Sequence, residues 1–164
     1  MKTETTNIIG MWVNLSRVYE IAKLGGLSIR IVFDKDYTNG FKDYELIKAF
    51  YKDVNFSSEG DMIIQLTPPE ISTHPIRKNQ FETLSDIEKR IEKARNNILP
   101  SEFSGDSCHT LLKTAINRMN FSLTDTEKVK EIAGVIAKLN GNDKIQVEHV
   151  VEAAQYKCLL GEGN

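Results

Sequence analysis

The sequence predicts an α+β protein, mostly helical, in which a small parallel βαβ unit is followed by a four-helix C-terminal bundle. Three observations predict it. Two short runs rich in β-branched residues, Leu27–Phe33 and Asp61–Leu66, flank one amphipathic stretch, Phe41–Lys52. From Ser85 onward the apolar residues recur at helical spacing. The chain has 164 residues, of which 40% are hydrophobic and 27% charged, enough to bury a core and too apolar for a disordered segment.

Taken in order, Ile8 to Leu24 reads as a helix, with Val18, Ile21, Ala22 and Leu24 apolar and Gly25-Gly26 ending it. The run Leu27–Phe33 reads as the first strand, and Asp34–Gly40 (DKDYTNG) as a turn. A helix over Phe41–Lys52 and a second strand over Asp61–Leu66 follow. Thr67-Pro68-Pro69 stops that strand, because proline cannot donate to a ladder. A strand, a helix and a strand in succession imply two parallel strands joined by a crossover. Residues 70–83 read as a polar connector.

The C-terminal part divides into four helices. Ser85-x-x-Glu88 has a capping-box pattern and opens a helix with Ile87, Ile91, Ala94 and Ile98 on one face, closed by Pro100. His109–Met119 places Leu111, Leu112, Ala115, Ile116 and Met119 inward. Thr124-x-x-Glu127 opens a third helix that carries Val129, Ile132, Val135, Ile136 and Leu139 and ends at Asn140-Gly141. The fourth carries Val147, Val150, Val151, Ala154 and Cys158. The expected division is therefore residues 1–84 and residues 85–164. Met1 and the tail Gly161–Asn164 read as the ends of a complete chain.

A formal net charge of −2 gives no overall pull toward a polyanion or an anionic membrane. No run approaches the ~18 apolar residues of a membrane span. The N-terminus has no basic stretch followed by an apolar one, so no leader is read there. Cys108 and Cys158 are too far apart in sequence to form a zinc knuckle and too few to make a disulfide framework. A cytoplasmic protein with reduced thiols is expected.

Several residue patterns carry the resemblance to a known family. Ile132–Lys157 (IAGVIAKLNGNDKIQVEHVVEAAQYK) aligns without a gap to VARTIADLxGSxxIxxxHVAEALQYR, matching at Ile136-Ala137, Leu139, Gly141, Ile145, His149-Val150, Glu152-Ala153 and Gln155-Tyr156. Ser85–Leu99 is similar to IRxRVxxARxxQ, and Asp61–Ile71 to RFDIxLEVPxV. Glu20–Gly26 followed by IRIVF is similar to EIAAAGGHNLLLIG. Together these segments, in the same order, resemble the ComM/YifB-like magnesium-chelatase-related AAA+ family and its C-terminal domain, with the match weaker in the N-terminal half.

The resemblance implies a shortened relative without working ATPase machinery. The family's phosphate-binding loop GPPGxGKT falls on Phe33–Gly40. Its lysine position holds Asn39 and its magnesium-holding Ser/Thr position holds Gly40. Asp34 and Asp36 stand where phosphates would sit. A phosphate loop grips polyphosphate with backbone N–H groups and an ammonium group, and carboxylates would repel it. About twenty residues separate Gly40 from Asp61, enough for one crossover helix but not for the family's intervening strands. The family's candidate arginine finger aligns with Asp61, and its candidate sensor arginine with Thr124. Phe33, Asp36, Asn39 and Gly40 are thus altered phosphate-loop positions, and neither a catalytic residue nor a cofactor or metal is expected. Loss of the neighbouring strands would uncover the edge of the first strand at Ile29, Ile31 and Phe33, where a protein partner or a second copy could pair.

The expected function is a non-catalytic binding or assembly module of magnesium-chelatase-like type. The alternatives are a nucleotide-binding or ATPase subunit of a magnesium-chelatase-like complex, and a nucleic-acid-binding module, so DNA stays a candidate partner. Other candidate residues read as structural. His149 has no second ligand at metal spacing, and His109 beside Cys108 points to a different side of its helix. His74 lies in the connector, and Trp12 reads as core. Lys89, Arg90, Lys93 and Arg95 interleave with Asp86, Glu88 and Glu92 and are expected to form pairs along their own helix. Asp34-x-Asp36 resembles the start of a calcium loop but lacks its glycine, which is Asn39 here.

Overall fold

A computed structural model describes residues 15–33, 40–66 and 83–157. Within them the expected architecture is present, a mostly helical α+β fold with one two-stranded parallel sheet. The elements are α1 (Leu15–Gly25), β1 (Ile29–Phe33), α2 (Gly40–Phe50), β2 (Met62–Leu66), α3 (Leu84–Arg95), α4 (Asp106–Met119), α5 (Leu123–Asn140) and α6 (Val147–Gln155). The segments expected to hold Trp12, His74 and the turn aspartates Asp34 and Asp36 lie outside the described residues.

The strands run parallel in the register Ile29↔Met62 to Phe33↔Leu66. Their starting ends are tied together by one carboxylate. Asp61 accepts hydrogen bonds from the Ser28 backbone N–H at 3.0 Å and from its hydroxyl at 3.3 Å. The Asp61 N–H donates in turn to Ser28 Oγ at 2.9 Å. Lys128 on α5 completes the cluster, 3.2 Å from Asp61. Burial alone would raise the Asp61 pKa, but the Ser28 hydrogen bonds and the Lys128 charge outweigh it and hold the carboxyl below its ordinary value.

Two strands make a marginal sheet unless a hydrophobic layer covers them. Here α1 supplies that layer on two sides. Its Val18, Ile21 and Ala22 join Ile29, Met62 and the buried side of α5 in the larger core cluster, which extends to Val150 and Ala153 of α6. Its Tyr19 turns the other way, into a second cluster with Ile47 and Tyr51 of the α2 region and Ile87 and Ile91 of α3. The Tyr19 and Tyr51 rings lie 5.0 Å apart. One apolar core therefore runs through both halves of the sequence.

Three local expectations need correcting. The caps of α3 and α5 lie two residues upstream of the expected boxes. Thr83 accepts from the Asp86 N–H, and Ser122 and Asp125 form the reciprocal box. Ser, Thr and Asp side chains near a helix start can each cap it, and here Thr83 and Ser122 do so. Ile98 and Met119, expected inward, are exposed, because α3 ends at Arg95 and α4 at Met119, where the chain turns away. Of the basic residues of α3, Arg95 pairs along its own helix, with Glu92. Arg90 instead reaches Glu20 on α1, and Glu88 meets Lys23.

Gly60 precedes β2 against the backbone of β1. A Cβ there would lie 2.2 Å from the Arg30 nitrogen and 2.5 Å from the Ile29 carbonyl carbon. Neither atom can move without breaking the strand pairing. Gly60→Ala is expected to cost at least about 2 kcal/mol of stability, read from the urea midpoint, and Gly26→Ala, which meets no atom but sits at positive φ, to cost less.

Candidate functional site

The sequence directs attention first to the connection between β1 and α2. Phe33 ends β1, partly buried against the second core cluster, and Gly40 begins α2. Phe33 and Gly40 therefore flank a connection from a strand to a helix. Asp36 and Asn39 lie outside the described residues. The other two aligned positions have structural roles or surroundings. Asp61, at the arginine-finger position, is the carboxylate that ties the strands together. Thr124, at the sensor position, is exposed in the first turn of α5.

At the expected interaction edge, the side chains of Ile29, Ile31 and Phe33 pack toward the core clusters, so only backbone could be offered to a partner. Ile29 already uses both of its groups. Its N–H donates to Asn55 at 2.8 Å, and its carbonyl accepts from the Ser57 N–H at 2.9 Å. On the opposite edge of the sheet the Ile63 N–H donates to the carbonyl of Tyr156, just beyond α6, at 2.6 Å.

A second constellation, which the sequence did not reveal, joins α1 to α3, α5 and α6. Arg17 donates to both oxygens of Glu152, from Nε at 3.1 Å and from Nη2 at 3.2 Å, a bidentate fork that lysine could not make. The Tyr156 hydroxyl donates to Glu152 Oε2 at 2.7 Å. Arg17 Nη2 also reaches Asn140 Oδ1 at 3.4 Å, and the Asn140 amide lies 3.4 Å from His149 Nε2. On the next turn of α1, Glu20 is buried and takes the Arg90 guanidinium. A cavity of about 390 Å3 opens beside this group, walled by Arg17, Glu20, Arg90, Lys93, Asn97 and Asn140.

Burial alone would pull the Arg17 pKa down, but the hydrogen bond and charge of Glu152 outweigh it and hold the guanidinium above its ordinary value. Burial would likewise raise Glu152, and the bonds from Arg17 and Tyr156 bring it below the usual carboxylate range. Burial, then the hydrogen bond and charge of Glu152, push the Tyr156 phenol far up. His149 is fully buried, and its Nδ1 accepts the Gln146 backbone N–H at 2.9 Å. Burial lowers its pKa, and the nearby carboxylates Glu148 and Glu152 only partly offset this. The ring therefore serves as a hydrogen-bond acceptor at the start of α6, a structural role such as the sequence reading expects. No buried side-chain nitrogen or oxygen among the described residues lacks a partner, and no three potential metal ligands cluster there. Every charged member of the network is engaged in holding helices together.

Sequence patterns could not have paired Arg17 with Glu152, which lie 135 positions apart. One signal was available: Glu20 interrupts the apolar run Val18-Tyr19-Glu20-Ile21-Ala22, and a carboxylate in that setting needs a cation from another element. His109, by contrast, is exposed and stacks edge-on to Phe103, and Cys108 is buried with its thiol directed at the Ile145 carbonyl, so the two form no catalytic pair.

Two outcomes follow. Arg17→Ala leaves the Glu152 carboxylate half-buried with one partner fewer and is expected to cost about 1–3 kcal/mol. The Arg17→Ala/Glu152→Ala double variant should cost less than the sum of the two singles in urea melts. The depressed His149 pKa gives the second. The unfolded ring binds a proton near pH 6.5, whereas the folded ring resists it. Its contribution is complete above that pH and is lost as the pH falls toward the folded value, where a proton on Nδ1 would also displace the Gln146 N–H. Thermal midpoints should drop between about pH 7 and pH 5, and His149→Gln should flatten that part of the profile.

Comparison with curated proteins and with solved structures finds no match. Residues 88–157, which run from the first turns of α3 to the end of the described chain, match the family described as magnesium chelatase, subunit ChlI C-terminal, and over that stretch the chain is magnesium-chelatase-like.

Proposed function

We propose that the chain is a non-catalytic, magnesium-chelatase-like protein of ComM/YifB type that works as a macromolecular binding or assembly module. The observation that carries this reading is the residue set at the β1–α2 connection. In the alignment, Asn39 stands for the lysine, Gly40 for the magnesium-holding hydroxyl, and Asp34 and Asp36 for two loop residues beside the phosphates. A loop sequence with carboxylates and no ammonium group lacks the charge needed to hold a triphosphate.

Two structural features support the reading. One crossover helix, α2, connects strands that pair directly with each other, which leaves no intervening strand to bring a metal-binding carboxylate to the loop. The cationic side chains Arg17, Arg90 and Lys128 are committed to Glu152, Glu20 and Asp61, which employs them in packing the helices. What remains for function is surface, and the helical part has several large apolar side chains exposed.

Calorimetric titration with ATP and magnesium is expected to give no saturable heat at ligand concentrations up to about 1 mM, where a Kd of that order corresponds to roughly −4 kcal/mol. Saturable binding that is abolished by substitution at Asp36 or Asn39 would remove the non-catalytic reading and favour the nucleotide-binding alternative.

A further inference from the structure

A largely apolar open groove lies between α5, the end of α1 and the loop after α3. It encloses about 430 Å3. Its floor is Leu24, Val135, Gly134 and Ile145, and Leu99 and Pro100 form one wall. The floor is built tightly. A Cβ at Gly134 would come within 2.9 Å of the Pro100 carbonyl oxygen, and one at Gly25 within 2.8 Å of Val135. The groove is therefore a formed feature of the packing.

Immediately beside this hole stands a knob. Leu99 is 58% exposed and Ile98, the preceding residue, 72% exposed. A knob adjacent to a hole on one surface is the arrangement a two-fold interface needs, since each copy then inserts into the other. The rim charges agree with that geometry. Glu127 and Lys138 both border the groove from α5, eleven positions apart and so on one face of the helix. Neither has an ion-pair partner among the described residues. A two-fold axis crossing α5 midway between them sets the Glu127 of one copy opposite the Lys138 of the other, twice. Gly134, against which Leu99 packs, lies close to that midpoint, so the two knobs meet the two grooves near the axis.

We propose that this groove is a two-fold interface with a second copy of the chain, in which Ile98 and Leu99 of each copy fill the groove of the other and Glu127 pairs with Lys138 across it. The proposal rests on the reading of the chain as an assembly module and names its partner. It places that partner on the α5 surface and not on the β1 edge.

The test is sedimentation equilibrium over a concentration series. The chain of 18.6 kDa should approach twice that mass at high concentration. Ile98→Glu, at an exposed position, should weaken association at least about tenfold with an unchanged thermal melt at concentrations low enough that both chains are monomeric. Glu127→Lys should also weaken it, and Glu127→Lys combined with Lys138→Glu should restore it. A chain that stays monomeric throughout overturns the proposal and leaves the groove to another occupant. So does a dimer indifferent to Ile98→Glu, or one in which the double variant is no tighter than Glu127→Lys alone. None of these outcomes bears on nucleotide binding, so the dimer can fail while the non-catalytic reading stands, and the reverse.

Discussion

A parallel sheet of only two strands cannot shield itself from water, and the rest of this fold follows from that constraint. In larger parallel sheets each strand is covered by its neighbours and by helices on both faces. Here β1 and β2 have one another and the two apolar clusters they join, to both of which α1 contributes. That helix accordingly has two apolar faces, Val18, Ile21 and Ala22 toward α5 and Tyr19 toward α2 and α3. Each sheet edge is engaged at one residue. Asn55 and Ser57 take the backbone of Ile29, and Tyr156 takes the N–H of Ile63.

A helix surrounded in this way has little solvent left for its polar side chains. Glu20 lies between the two clusters and is buried, so it must be matched by a cation, which Arg90 supplies from α3. Arg17, one turn earlier, is held by Glu152 and Asn140. Such pairs add little net stability over an apolar replacement, but removing one member alone is costly. Their effect is to fix orientation. They lock α1 against α3 on one side and against α5 and α6 on the other, the helices that carry the magnesium-chelatase-like match. The same logic explains why Arg90 and Glu88 of α3 reach across to Glu20 and Lys23 of α1.

This arrangement bears directly on function. Polar clusters in a cleft between helices invite a catalytic reading, yet here each carboxylate has a guanidinium or ammonium partner, and His149 is a neutral acceptor for the backbone at the start of α6. The two positions that the family resemblance assigns to an arginine finger and a sensor arginine hold Asp61, which fastens the strands, and Thr124, which is exposed. In this structure Asp61 is thus part of the scaffold and Thr124 part of the surface. Ile98 and Leu99, by contrast, are large apolar side chains left exposed beside an open groove.

The sequence by itself determined what depends on neighbours in the chain. Helical stripes such as Ile87–Ile91–Ala94 and Val129–Ile132–Val135–Ile136, the β-branched strands, the glycine stop at Gly141 and the order strand–helix–strand were all legible, because propensity, side-chain period and turn chemistry act over a few residues. His149 as a structural histidine was legible for the same reason. Cap positions were off by two residues because neighbouring Ser, Thr and Asp side chains can each cap a helix. Only the tertiary structure decided which charges pair, since Arg17 meets Glu152 and Arg90 meets Glu20 across distances in sequence that no local period records. It also decided that Ile98 faces water and that a groove opens next to it, because exposure is a property of how helices pack together and not of any one of them.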